Sequence, residues 1–161
     1  MKTFTIQIII LIASILGVLL FIFNQDLSKN LFNQSSNQED KLKINEKVIN
    51  IEIADTQEKR SQGLGGRQSL ASDSGMLFIF DNPDKHRFWM KGMKLPLDIV
   101  WINNNQVINV LSNLQPPSAN QPDNELPQYE PTEPADKALE VAAGFIQQNK
   151  IKVGDKVEIL R

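Results

Sequence analysis

Five side chains in this chain have types and settings suited to holding or transforming a small molecule: Arg67, Trp89, Lys91, Asp98 and Glu140. Asp98 follows Pro96 and sits between Leu97 and Ile99; Glu140 sits inside Ala138-Leu-Glu-Val-Ala142. A carboxylate within an apolar strand is costly unless it is partnered. Each of these two acids therefore predicts an ion pair, a capping role or a functional site. For Asp98 the expected partner is Arg67 or Lys91, and a pairing or turn-capping role is favoured over catalysis. Trp89 brings a large apolar ring with a polar N–H, the combination found at cleft edges. Together the five residues predict a small pocket in which Trp89 supplies apolar surface and the charges orient a polar ligand.

Both Trp residues, the only His and three of the four Met fall between Gly75 and Asn103. Lys85, His86, Arg87, Lys91 and Lys94 form a basic cluster there, diluted by Asp81 and Asp84. A solvated rim is the favoured reading of that cluster, with an anion, an acidic lipid or an acidic partner as alternatives. His86 stands alone, and metal sites need several converging ligands, so no metal is expected. The segment Gly63-Leu-Gly-Gly-Arg67 reads as a helix stop. Phosphate-binding glycines follow a strand and open a helix, and no Lys-Ser or Lys-Thr pair follows here. No nucleophile elbow, zinc-protease helix or Cys–His pair is present. No cofactor is implied.

The formal net charge is −2, which argues against nucleic acid as a partner. There is no Cys, so disulfides and lipid attachment through Cys are excluded. Residues 4–23 carry no charge and are apolar apart from Thr5, Gln7 and Ser14. As a helix they would span ~30 Å, the thickness of a bilayer's hydrocarbon core. Lys2 precedes them, which places the N-terminus in the cytoplasm and the rest of the chain outside it. The sequence thus predicts a single-pass anchor at 1–23, a polar stalk at 24–46 and one globular domain at 47–161. The alternative for 1–23 is a cleaved signal segment, which would leave a soluble exported domain.

Within the domain, Ile49, Ile51 and Ile53 alternate with Asn50 and Glu52, the period of a half-buried strand. Asp55-Thr-Gln-Glu58 resembles a capping box before a short helix to Gln62. Strands are expected over 75–80, 87–90, 97–102, 106–111, 137–141 and near the C-terminus, with Asn82-Pro83-Asp84 as a turn and Asn103-Asn-Asn105 as a hairpin turn. Ala142 to Asn149 should start a second helical turn. Residues 115–136 hold six of the eight Pro and the acids Asp123, Glu125, Glu130, Glu133 and Asp136, predicting a long solvated acidic loop. The fold class is α+β, mostly β: a small barrel- or sandwich-like domain of short strands with one or two short helices.

Six segments in order carry a family resemblance: Arg60-Ser-Gln-Gly-Leu-Gly-Gly-Arg67, Gly75-Met-Leu-Phe-Ile-Phe80, Phe88-Trp-Met-Lys91, Leu95-Pro-Leu-Asp-Ile99, Leu139-Glu-Val-Ala-Ala-Gly144 and Val153-Gly-Asp155. In these the chain resembles the domain of unknown function 192 family over roughly Val48 to Leu160. The resemblance implies a compact, mostly β domain, often exported or membrane-anchored, and no established activity. Gly65 stands where the family usually has Met, and Lys91-Gly92-Met93 replaces a usual Lys-Asn-Thr. The functional expectation is a membrane-tethered extracytoplasmic module that binds a small polar ligand or an envelope protein. The alternatives are an envelope hydrolase using Asp98 or Glu140, and a protein-interaction module using the Pro-rich loop. A non-enzymatic role is favoured.

Overall fold

The computed structural model describes residues 40–160. The predicted anchor at 1–23 and the stalk up to residue 39 lie outside the described residues. Among those described, no helix is long and apolar enough to cross a membrane.

The described residues form nine strands and two short helices: β1 (Lys41–Ile44), β2 (Lys47–Ala54), α1 (Gln57–Gln62), β3 (Ser74–Asp84), β4 (Phe88–Trp89), β5 (Leu97–Asn103), β6 (Gln106–Leu114), β7 (Gln128–Tyr129), β8 (Ala135–Ala142), α2 (Phe145–Asn149) and β9 (Val157–Leu160). Seven strands form one sheet in the order β6-β5-β8-β3-β2-β1-β9, and β4 pairs with β7 in a separate ribbon. The large sheet curls into a half-barrel whose two edges meet at one end. There the Val107 N–H donates to the Asp155 carbonyl, and the Gly154 N–H donates to the Val107 carbonyl. All pairings are antiparallel except β2 with β3. That parallel pair requires a crossover, and α1 lies in it.

Around β5, β8 and β3 the sheet is buried on both faces, whereas β1, β2 and β9 leave one face open to solvent. One face carries Leu42, Ile49, Ile51, Leu77, Val100 and Leu139, and α2 adds Phe145 and Ile146. The other carries Met76, Phe78, Ile99, Trp101 and Ala138, with Leu64, Met90 and Met93 packed over it from the connecting segments. Within the sheet β5, which runs between β6 and β8, is buried at six consecutive positions. This is why, apart from Asp98, it reads as a continuous apolar run rather than an alternating one.

Most predicted strands fall where expected, with four corrections. A strand precedes the predicted domain start at 47: β1 lies inside the stretch expected as stalk, and Leu42 and Ile44 are buried. Four residues with two apolar side chains are too short to show a period. Thr56, not Asp55, caps α1, its hydroxyl accepting from the Lys59 N–H at 3.3 Å. Asn82-Pro83-Asp84 is no turn but an irregularity within β3, whose pairing with β8 resumes at Asp84 opposite Ala135. Pro83 cannot donate to a ladder, and the register shifts around it. The 115–134 segment is not free in solvent: it folds through a 3-10 turn at Asp123–Glu125 and through β7, and buries Leu126. The predicted hairpin forms on Asn104 and Asn105, with φ of 47° and 62°. Asn tolerates this left-handed region better than most residues.

Candidate functional site

A cleft of about 550 Å³ opens between α1 with its Gly loop and the β3–β4 segment, a volume within the range of small-molecule sites. Its floor is apolar: Leu64, Phe78, Phe88 and Met93. The ring of Phe88 meets Phe78 and Trp101 edge to face, each at 4.9 Å between centroids. Phe80 stacks on His86 at 3.6 Å, and the His86 ring nitrogen Nε2 lies 3.0 Å from the Asn82 carbonyl. That contact ties the basic segment down as a wall.

The opposite wall is α1. Six residues are too few for a helix to be stable alone, so tertiary contacts hold it. Arg60 donates to the Asp55 carbonyl at 2.8 Å and across to the Ile79 carbonyl of β3 at 2.9 Å. Gly63 ends the helix at φ 50°, its N–H donating to the Lys59 carbonyl. Leu64 then plugs into the core, and the Gly66 N–H donates to the Gly92 carbonyl at 2.9 Å. The cleft is therefore fastened by the Arg60 side chain on the Ile79 carbonyl at one point and by a backbone hydrogen bond from Gly66 to Gly92 at another.

Glu140 reaches the floor from β8. It lies opposite Ile99 of β5 and Met76 of β3 and is 5 % exposed. Among the described residues no hydrogen bond or ion pair reaches its carboxyl, and burial pushes its pKa up to about 8. At neutral pH it is therefore mostly a protonated acid. Its backbone is crowded from behind by Gly75. A Cβ there would stand 2.7 Å from the Glu140 carbonyl oxygen and 2.9 Å from a Val141 methyl. Only Gly lets β3 and β8 approach at this point.

Of the five side chains expected to share a pocket, three do: Trp89, Lys91 and Glu140 line the cleft. Trp89 is 48 % exposed at the mouth, with the Lys91 ammonium 5.2 Å from its ring centroid. Lys91 also pairs with Asp123 at 2.6 Å, and Arg87 with Glu130 at 3.2 Å. Part of the basic cluster thus anchors the acidic loop instead of forming only a solvated rim. Arg67 does not line the cleft. It makes a bidentate pair with Glu52, at 2.5 and 2.6 Å, which holds the Glu52 carboxyl below its usual range.

Asp98 is the clearest correction. It pairs with neither Arg67 nor Lys91. Its register partner is Val141, one position along from Glu140, and side chains on a strand alternate in direction. Its carboxylate therefore lies on the opposite face of the sheet. There it is fully buried, accepting from the Ile146 N–H at 2.9 Å and the Asn113 N–H at 2.8 Å. It fixes the first turn of α2, the capping role anticipated for it, and is absent from the cleft. Conversely, Arg60, Phe78, Phe80 and Phe88 line the cleft without having been singled out. The signal for Arg60 was its place one turn before the glycine stop, on a helix that had to pack against β3.

A curled, mostly β sheet carrying one aromatic-floored cleft with a buried acid describes the class of protein. The chain belongs to the DUF192 family (Uncharacterized ACR), whose model matches residues 40–159. Two solved structures are similar to it. One, a protein of unknown function from Novosphingobium aromaticivorans, has a TM-score of 0.66 at 28% identity, covering 73% of this chain and 83% of that one. The other, a Sinorhizobium meliloti protein named as a candidate transcription regulator, has a TM-score of 0.65 at 28% identity, covering 75% of this chain and 92% of that one. No curated protein matches the chain.

Proposed function

We propose that this chain is a membrane-tethered, extracytoplasmic module that binds a small molecule in the cleft above Glu140. One observation carries the binding reading: a carboxyl on an almost wholly buried side chain, with no partner among the described residues, facing an open cleft. Burying a polar group without a partner costs ~1–3 kcal/mol. A fold retains such a group where a ligand completes its hydrogen bonding. The tether rests on residues 4–23, uncharged and long enough to span a bilayer. The test is an NMR titration of the full-length chain in detergent with a library of small fragments. Shifts confined to Phe78, Phe88, Trp89 and their neighbours are expected, and a library that leaves all of them unmoved removes the proposal. For the tether, the protein should sediment with membranes and be released only by detergent; recovery in the soluble fraction refutes it.

A second reading has its own support. A carboxyl that is protonated at neutral pH is in the state required of a general acid, so Glu140, which faces the cleft, fits a hydrolase, while Asp98 lies on the opposite face of the sheet. Under that reading Glu140→Gln abolishes turnover while leaving ligand affinity within about threefold. Under the binding reading no turnover exists to lose.

A further inference from the structure

The polar groups of the cleft differ in what each has left to offer a ligand. Lys91 and Arg87 are already paired with Asp123 and Glu130. Arg60 is not equally satisfied: its two hydrogen bonds go to neutral carbonyls, and its nearest carboxylate, Asp81, is 4.0 Å away and mostly exposed. Glu140 has no partner among the described residues. Arg60 can only donate, and a neutral Glu140 has one proton to give. The cleft thus presents one cation whose charge is met only by a long, solvent-exposed ion pair to Asp81 and one acidic O–H. Arg60 also lies over the Phe80 ring at 6.0 Å, and Lys91 lies over Trp89 at 5.2 Å. Those two ring faces already have cations, so a cationic ligand gains little from them. The two anchor points are separated along β3. The carbonyl of Ile79 holds Arg60, and Met76 lies beside Glu140; three strand residues put roughly 10 Å of backbone between those two attachment points. The apolar floor lies between.

We propose that the cleft selects small organic acids: a carboxylate directed to Arg60, an apolar or aromatic body over Phe78 and Phe88, and a hydrogen-bond acceptor reaching Glu140. This rests on the reading of the cleft as a binding site and adds the class of ligand. An amine of the same shape meets Arg60 as a like charge. An alcohol makes no use of that charge.

The test uses an isosteric series on the full-length chain in detergent at pH 7: 3-phenylpropionate, 3-phenylpropanol and 3-phenylpropylamine, titrated by NMR. The acid should bind at least about tenfold more tightly than the other two, the scale expected of a hydrogen bond to a charged group. Arg60→Gln should erase the preference and Arg60→Lys should keep most of it. If the amine or the alcohol binds as well as the acid, or if the preference survives Arg60→Gln, the acid-selective reading is overturned while the cleft remains a binding site. If none of the three moves a cleft resonance, the acid-selective reading is overturned too, and only the wider fragment library decides whether the cleft binds at all. The series on the unaltered protein decides the matter even if Arg60→Gln fails to fold.

Discussion

Glu140 carries a carboxyl with no partner among the described residues into a buried position, and desolvation holds its pKa near 8. In an unfolded chain the same group titrates at its ordinary 4.5. Between those values the folded protein binds more protons than the unfolded one, so stability must fall as pH rises from about 4.5 to about 8. For one group the slope is at most ~1.4 kcal/mol per pH unit. Denaturant titrations at pH 5 and pH 8 should show this loss, and Glu140→Gln should flatten it. Glu140→Leu should go further and stabilise the domain by ~1–3 kcal/mol at pH 8, because it replaces a desolvated acid with a side chain suited to the site. A destabilised Glu140→Leu protein would mean the carboxyl has a structural partner. Asp98 is the opposite case, with both oxygens occupied by backbone N–H donors. Asp98→Asn places an amide donor against one of them and should cost ~1–3 kcal/mol, measured by the same titrations. Both acids could be picked out in the sequence as charges inside apolar strands. Their opposite fates could not. Because β5 is apolar on both faces, nothing in its composition tells which way residue 98 points; the register against β8 decides it.

At the scale of elements, the cleft depends on how closely β3 and β8 approach. Gly75→Ala would set a methyl 2.7 Å from the Glu140 carbonyl oxygen, so backbone has to move. Overpacking of this kind costs ~1–3 kcal/mol. Here it should also displace Glu140, so that Gly75→Ala weakens cleft binding as well as lowering the melting temperature. A variant destabilised by that amount with unchanged binding would separate the strand contact from the site. The Pro-rich segment is fastened differently. Its ion pairs to Lys91 and Arg87 are about half exposed, and such pairs are worth ~0–1 kcal/mol and weaken with salt. Lys91→Ala should leave the melting temperature nearly unchanged while raising amide exchange around Asp123–Glu125 alone. The alternation of Ile49, Ile51 and Ile53 and the Asn hairpin made β2 and the β5–β6 turn legible, since local physics fixes both. The loop's attachment was not legible, because a pairing between residues 91 and 123 depends on where the chain returns.

For the whole domain, the least legible feature is closure. No local pattern reveals that β1 lies between β2 and β9, or that the edges of the sheet meet near Val107 and Asp155. Yet β1 is short enough to remove cleanly, which makes it the strongest test of the architecture. Leu42 and Ile44 are almost completely inaccessible, and fully burying such side chains contributes ~1.5–3 kcal/mol each. Deleting β1 also strips β9 of the strand it pairs with along its length and leaves the interior open to water beside Ile49 and Val157. The combined loss is comparable to the ~5–15 kcal/mol that holds a domain of ordinary stability together. A protein comprising residues 40–161 should therefore melt cooperatively, with the full dispersion of a folded sheet in its amide spectrum. One beginning at residue 47, the boundary suggested by composition, should show neither. If the shorter protein folds cooperatively, β1 is an accessory strand and the half-barrel stands without it. If it fails, the boundary of the folded unit lies in the polar stretch before Val48, at the four residues whose two apolar side chains close the core.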